Sequence, residues 1–287
     1  MNPANKLILG TVQFGLSYGI NNSTGKVSKA EASRILTIAK KNGITILDTS
    51  YAYGDSEIIL GELLENDRYF KIVSKLPRTT ENPKLIFNET AQRLKKTKLY
   101  GYLIHHFDYF KENQEIWADI KNLQNKGMVE KIGFSLYYTQ ELEYLFLQKT
   151  NFDIVQIPYN ILDKTFEPYL KELKRRSIEI HTRSVFLQGL FFKSVDDLPL
   201  KLVPLKPYLV AMNEFCEEQK ITIAELALNG VIHHPDIDGV LMGVDNINQL
   251  QKNIKCVWTK VPEKISEFLD TLDVKEKELL NPVNWNL

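Results

Sequence analysis

The chain has 287 residues, with 36 basic and 36 acidic side chains and a formal net charge of zero, so its composition gives no electrostatic reason to expect nucleic acid or an anionic membrane as partner. That leaves a small-molecule site. The two cysteines, Cys216 and Cys256, form no metal-ligand pattern and suggest a reducing, cytoplasmic setting; residues 1–6 lack a signal-peptide layout and no apolar run approaches a membrane span.

In chain order one unit recurs: a short apolar strand, a turn, and a helix with a period near 3.6. Residues 7–11 predict the first strand. Its helix opens on the capping box Ser28-Lys29-Ala30-Glu31, in which hydroxyl and carboxylate satisfy orphan amides reciprocally, and Ala32, Ile35, Leu36 and Ala39 share one face before Gly43. The second run, 44–47, breaks into Asp48-Thr49-Ser50-Tyr51-Ala52-Tyr53-Gly54, followed by a helix from about Asp55 with Ile59, Leu60, Leu63 and Leu64 inward. The third, 70–75, ends on Lys75 and leads to a helix entered at Asn82-Pro83. Strands at 100–105, 129–135, 152–156 and 178–184 follow. Their helices carry Ile116, Ile120 and Leu123, then Leu142, Leu145 and Phe146, then Phe166, Tyr169, Leu170 and Leu173. After the seventh strand comes an insertion with Pro199, Pro204 and Pro207, then helical stretches ending near Gly230, the second opened by the capping box Thr222-Ile223-Ala224-Glu225. The eighth strand is 237–243, with a last helix on Ile247, Leu250 and Ile254.

Eight such units without a composition break predict a (β/α)8 TIM-type barrel as a single domain over 1–287, its tail (about 260–287) packing on or near the barrel. An open doubly wound sheet would announce Gly-x-Gly-x-x-Gly after its first strand. That motif is absent, and the phosphate-loop match from Gly19 to Gly25-Lys26-Val27 has the wrong spacing. Catalytic groups of a barrel sit at the C-terminal strand ends. Thr11, Asp48, Lys75, His105, Ser135, Gln156, Arg183 with Ser184, and Gly243 are expected to close the eight strands, with Tyr53 just beyond the second.

A phenol has an unperturbed pKa of roughly 10. A lysine cation beside it is expected to lower that value by about 1 to 3 units, with an aspartate holding the lysine charged, so Asp48, Lys75 and Tyr53 make a proton donor for a developing alkoxide. Neutral His105 would donate a hydrogen bond to the same oxygen. No side chain supplies a hydride, which a nicotinamide cofactor must bring. Adjacent His105-His106 and His233-His234 point to opposite faces, so no metal is expected. His181 reads as a barrel histidine, Trp117 as packing, and Trp285 as a candidate for the pocket mouth.

These residues resemble the aldo-keto reductases. The resemblance spans nearly the whole chain and is carried by Leu9-Gly10-Thr11 with Phe14-Gly15, Leu47-Asp48-Thr49 through Tyr53-Gly54, Ser56-Glu57 with Leu60-Gly61-Glu62, Val73-Ser74-Lys75, Leu103-Ile104-His105, Gly133-Phe134-Ser135, Val155-Gln156 with Tyr159-Asn160, and Met242-Gly243-Val244 with Gln249-Leu250 and Asn253. It implies an oxidoreductase that reduces a carbonyl compound, an aldehyde or ketone and possibly a sugar derivative, with Tyr53 as general acid, Lys75 and Asp48 its tuners and His105 the orienting donor. It further implies NADPH bound by Gly10, Thr11, Asp48, Ser135, Gln156, Arg183, Ser184, Gly243, Gln249 and Asn253: Ser135 and Gln156 at the carboxamide, Thr11 near the nicotinamide ribose, Gln249 and Asn253 at the adenosine end. Three positions depart from the pattern. Leu136 stands where an asparagine is common, Arg183 where an aromatic usually stacks, and Asp245 near the expected 2′-phosphate, where a carboxylate suits NADH; Lys252 or Lys255 would offset it. Tyr51 is expected as a pocket wall, with Phe14, Tyr18, Phe107 and Phe186 nearby. Two other functions fit the same barrel: a nicotinamide-binding regulatory or sensor subunit that binds without turnover, and a lyase or isomerase that uses Lys75 for a Schiff base.

Overall fold

The eight apolar runs are too short for helices and bounded by turn residues, and in the structure, a computed structural model that describes residues 3–257 and 264–285, each becomes a strand. They are β1 (Leu7–Gly10), β2 (Ile46–Asp48), β3 (Lys71–Leu76), β4 (Leu99–Ile104), β5 (Val129–Ser135), β6 (Ile154–Pro158), β7 (Glu179–Arg183) and β8 (Gly239–Gly243). All pair in parallel, in sequence order, and β8 returns to β1 to close a (β/α)8 barrel. Closure leaves no sheet edge and buries both strand faces, which is why Tyr102, Leu103 and Ile104 in succession are all fully buried.

Strand register sets the site. Gly10 lies opposite both Asp48 and Gly243, Lys75 opposite Leu103, and Ser135 opposite Gln156. Asp48, Ser135, Arg183 and Gly243 are the last residues of their strands, while Thr11, His105 and Ser184 stand one residue beyond. Two strands run on past their expected ends. β3 runs one residue past Lys75, and β6 starts and ends two residues later than expected, so Gln156 sits in its middle; the buried apolar pair Ile157 and Pro158 extends the pairing to β7. The short helices Val12–Gly15 and Phe107–Glu112 follow β1 and β4 directly and are too short for a helical period to be read.

One capping box forms and one does not. At the helix Ile223–Ile232, Thr222 accepts from the Glu225 N–H at 3.2 Å and Glu225 accepts from the Thr222 N–H at 2.7 Å. Ser28 likewise accepts from Glu31 N–H at 3.2 Å, but the Glu31 carboxylate takes the Ile247 N–H at 2.7 Å instead of returning to Ser28. A tertiary amide outcompetes the local one and fastens the first barrel helix, Lys29–Lys41, to the start of the last, Ile247–Val257.

Beyond them, the helix Ile265–Thr271 places Phe268 on Phe215, rings stacked at 4.0 Å. Residues 260–263 and 286–287 of the expected tail lie outside the described residues. Trp285 does not reach the pocket mouth. Its ring is 2 % exposed and its indole N–H donates to the Leu279 carbonyl at 2.7 Å, because a buried indole needs an acceptor.

At the N-terminal end of the strands, Glu179 accepts from Tyr100 OH at 2.6 Å, meets His181 Nε2 at 2.6 Å and pairs with Lys131. Burial alone would raise its pKa, but His181, Lys131 and Tyr100 together hold it down at about 2. The folded value lies below the unfolded value of about 4.5, so this stability is present above pH 4.5 and lost as pH falls toward 2. Glu179→Gln should therefore cost about 3 kcal/mol in denaturant unfolding at neutral pH and almost nothing near pH 2. A cost independent of pH would contradict the assignment.

Candidate active site

The turn that carries Tyr53 is set by backbone contact. A Cβ on Gly15 would run into the Tyr53 carbonyl, and Gly54, at φ +52°, sits where a Cβ would lie 2.6 Å from the Gly15 carbonyl oxygen. Only glycine permits both the left-handed turn and the approach. Gly15→Ala is expected to displace Tyr53 and lower kcat by about 10- to 100-fold with the circular dichroism spectrum unchanged; wild-type kcat in that variant would refute the seating.

A knot of hydroxyls fastens the ends of β1 and β2. Thr11 Oγ1 donates to the Asp48 carbonyl at 2.9 Å and meets Ser56 Oγ at 2.9 Å, and Ser56 also donates to the Thr11 carbonyl at 2.8 Å. Thr11 borders the cavity, but its hydroxyl is used inside the fold.

Asp48, 2 % exposed, is the hub. Its Oδ1 accepts from Lys75 Nζ at 2.6 Å and its Oδ2 from Gln156 Nε2 at 2.7 Å, while Lys75 also donates to the Thr49 carbonyl at 2.8 Å. The ammonium stands 5.1 Å from the centroid of the Tyr53 ring, and that ring meets His105 edge to face at 5.8 Å. Ser50 Oγ, which accepts the Ala52 N–H at 3.2 Å, lies 3.1 Å from His105 Nδ1. Donation of its O–H to Nδ1 leaves the imidazole proton on Nε2.

Electrostatics departs from expectation at one point. The Tyr53 pKa is not lowered: desolvation first, and then the Asp48 charge, push it up. Lys75 fails to reverse this because its charge is matched by Asp48 and it faces the ring of Tyr53. Tyr53 is thus held as a neutral phenol, the reactant form of an acid. Desolvation, seconded by Lys75, holds the His105 pKa well below its ordinary value, so the ring is neutral. Burial also lowers the pKa of Lys75 against the pull of Asp48.

Tyr53, His105 and Asp48 open on a cavity of about 770 Å³, within the usual span of small-molecule sites. Ser135, Gln156, Arg183 and Ser184 line it with them, as do Gly10, Gly243, Gln249 and Asn253. Lys75 is fully buried behind Tyr53 and is not on the wall. Leu136 is also fully buried, its amide donating to the Gln156 carbonyl at 2.8 Å.

Asp245 lines the cavity as well, and Gln249 Nε2 donates to it at 3.2 Å and Asn22 Nδ2 at 3.2 Å. Lys252 and Lys255 are also among the lining residues.

Of the aromatics expected there, Tyr18 and Phe186 line the cavity. Phe14 and Phe107 are core residues. Tyr51 is no pocket wall: it stacks under Arg93, 3.8 Å from guanidinium to ring centroid, and its hydroxyl donates to Glu89 at 2.7 Å. Several lining groups were not foreseen, among them Gln13, Tyr137, and a clasp in which Gln188 Nε2 donates to Tyr18 OH at 2.7 Å and Asn21 Nδ2 to the Gly189 carbonyl at 2.7 Å. Gln13 lies in the short helix Val12–Gly15 and the clasp in segments where Ser184, Leu187, Gln188 and Gly189 all take positive φ, so no sequence period applies to either.

The aldo/keto reductase family model matches residues 6–273. NADH-specific methylglyoxal reductase of Escherichia coli (strain K12) is 24% identical over 262 residues, covering 75% of this chain and 79% of that protein. Among solved structures, an aldo-keto reductase from Bacillus halodurans in its holo form superimposes with a TM-score of 0.77 at 19% identity, over 96% of this chain and 95% of that one. An aldo/keto reductase from Klebsiella pneumoniae in complex with NADP and acetate gives a TM-score of 0.70 at 18% identity, over 93% and 90% of the two chains.

Proposed function

This chain belongs to the aldo/keto reductase family, and we propose that it reduces an aldehyde or ketone to an alcohol with a reduced nicotinamide dinucleotide, Tyr53 giving the proton. The observation that carries this reading is Tyr53 on the cavity wall, its ring 5.1 Å from the ammonium of the buried Asp48–Lys75 pair and edge to face with His105 at 5.8 Å.

The cleft suits such a cofactor. Gly10, Gly243, Lys252 and Lys255 are among its lining residues, and it holds a buried Gln13 Oε1 without a hydrogen-bond donor. Ser135, Gln156 and Ser184 would hold the nicotinamide end, Gln249 and Asn253 the adenosine end. When bound, the nicotinamide supplies the hydride. His105 Nε2–H then holds the carbonyl oxygen, and Tyr53 passes its proton to that oxygen as alkoxide character develops. Lys75 stabilises the phenolate left behind, and Asp48 keeps Lys75 charged and aimed at the ring.

NADPH is the leading cofactor, and Asp245 works against it: a carboxylate fixed by Gln249 and Asn22 repels a 2′-phosphate. Fluorescence titration of the protein with NADPH and, separately, NADH tests both points. Asp245→Ser should move the affinity ratio toward NADPH by about tenfold. An unchanged ratio would remove Asp245 as selector, and binding of neither nucleotide would end the reductase reading. Binding without turnover of any carbonyl compound would favour a sensor subunit. The Schiff-base reading has the geometry against it, since Lys75 is fully buried and bonded to Asp48 and Thr49.

A further inference from the structure

Arg183 ends β7, and its guanidinium lines the cavity beside Tyr53 and His105. Its plane lies on Tyr137, 4.1 Å from the ring centroid, and Nη2 donates to the Leu136 carbonyl at 3.0 Å. Nη1 stands at the limit of bonding, 3.5 Å from Ser184 Oγ, and the buried Nε–H has no acceptor. Of five N–H donors, most are unmet.

Among the described residues Arg183 has no carboxylate within 4.0 Å. Two carboxylates sense its charge, and both are engaged elsewhere: Glu141 accepts the Tyr137 and Tyr138 amides at 2.6 and 3.2 Å, and Asp163 the Thr165 amide at 3.1 Å. Asp48, the one acid at the reacting end, is neutralised by Lys75. Arg183 is therefore a half-buried cation next to the proton donor, with no carboxylate bonded to its fork. Its fork is planar and held in place by stacking, the geometry that receives a carboxylate or phosphate through two parallel bonds.

On the carbonyl-reductase reading, we infer that the substrate is anionic: an aldehyde or ketone that also carries a carboxylate or phosphate, which Arg183 receives while Tyr53 and His105 address the carbonyl oxygen. A bound cofactor would supply the hydride for the new C–H bond, the carbonyl oxygen takes the Tyr53 proton on the former π pair, and the anionic group stays attached, giving a hydroxy acid or hydroxyalkyl phosphate.

The test compares kcat/KM of the whole protein for ω-oxo carboxylates of increasing length against their methyl esters, and for glyceraldehyde 3-phosphate against glyceraldehyde. The comparison is run in wild type, Arg183→Met and Arg183→Lys, with NADPH and NADH affinities measured in each. At least one anionic member should exceed its neutral partner by tenfold or more; which series does so identifies the anion. The preference should collapse toward one in Arg183→Met through KM and survive in part in Arg183→Lys, which keeps the charge without the fork. Equal turnover of charged and neutral partners by wild type would overturn the inference and leave the reductase reading standing. Equal losses on both partners with weakened nucleotide binding would assign Arg183 to the cofactor and also overturn it. Failure of every carbonyl compound tested to oxidise the nucleotide would defeat the reductase reading and the inference with it.

Discussion

Tyr53→Phe should lower kcat by about 10²- to 10⁴-fold while nucleotide affinity stays within about twofold of wild type. The substitution removes one oxygen and keeps the ring that packs against His105 at 5.8 Å and lies 5.1 Å from the Lys75 ammonium. His105 cannot replace the lost acid. Its pKa is held well below the ordinary value, so it is neutral across the working range, and giving up Nε2–H would leave an imidazolate. Tyr51 cannot replace it either, because its hydroxyl is bonded to Glu89 and lies outside the cavity wall. A Tyr53→Phe enzyme with wild-type kcat would remove proton donation from this residue.

The second large effect is on stability. Lys75 and Asp48 have side chains 0% and 3% exposed at a separation of 2.6 Å. Loss of one partner strands the other charge in the barrel, so Lys75→Met should cost about 3–5 kcal/mol in denaturant unfolding, and Asp48→Asn a similar amount. In the double variant neither charge remains, and an amide and a thioether occupy nearly the same volume. Its cost should fall below the sum of the two single costs by about 2 kcal/mol or more. Additive costs would show that the pair is not coupled in the fold. Both single variants should also lose activity, since a neutral residue at either position leaves the Tyr53 phenolate unsupported.

The barrel was legible because its code is local. Each strand is a run of three to seven residues followed by a cap and a helical period, and Asn82-Pro83 or Thr222 to Glu225 marks a helix start without reference to anything distant. Asp48, Tyr53, His105 and Arg183 were legible through one further rule, that polar groups at C-terminal strand ends of such a barrel converge. What escaped depends on partners far along the chain. Glu31 reads as half of a capping box and caps a helix 216 residues away. Tyr51 and Tyr53 are equivalent as letters, and only the positions of Arg93 and Glu89 turn the first outward. The expectation that Lys75 would acidify Tyr53 failed because a pairwise argument omits desolvation and the neutralising Asp48, both stronger here. The Tyr18 to Gln188 clasp joins two loops whose backbone angles carry no periodic signature.

The most direct measurement is a single turnover with nucleotide deuterated at its transferable position and an oxo acid or aldehyde as acceptor, the product read by mass spectrometry and NMR. One deuterium per product at the former carbonyl carbon, appearing more slowly in step with the lowered kcat in Tyr53→Phe, is the predicted result. Product whose new carbon-bound hydrogen comes from solvent, or borohydride-trapped substrate on Lys75 with the nucleotide untouched, would contradict a carbonyl reductase built on Tyr53.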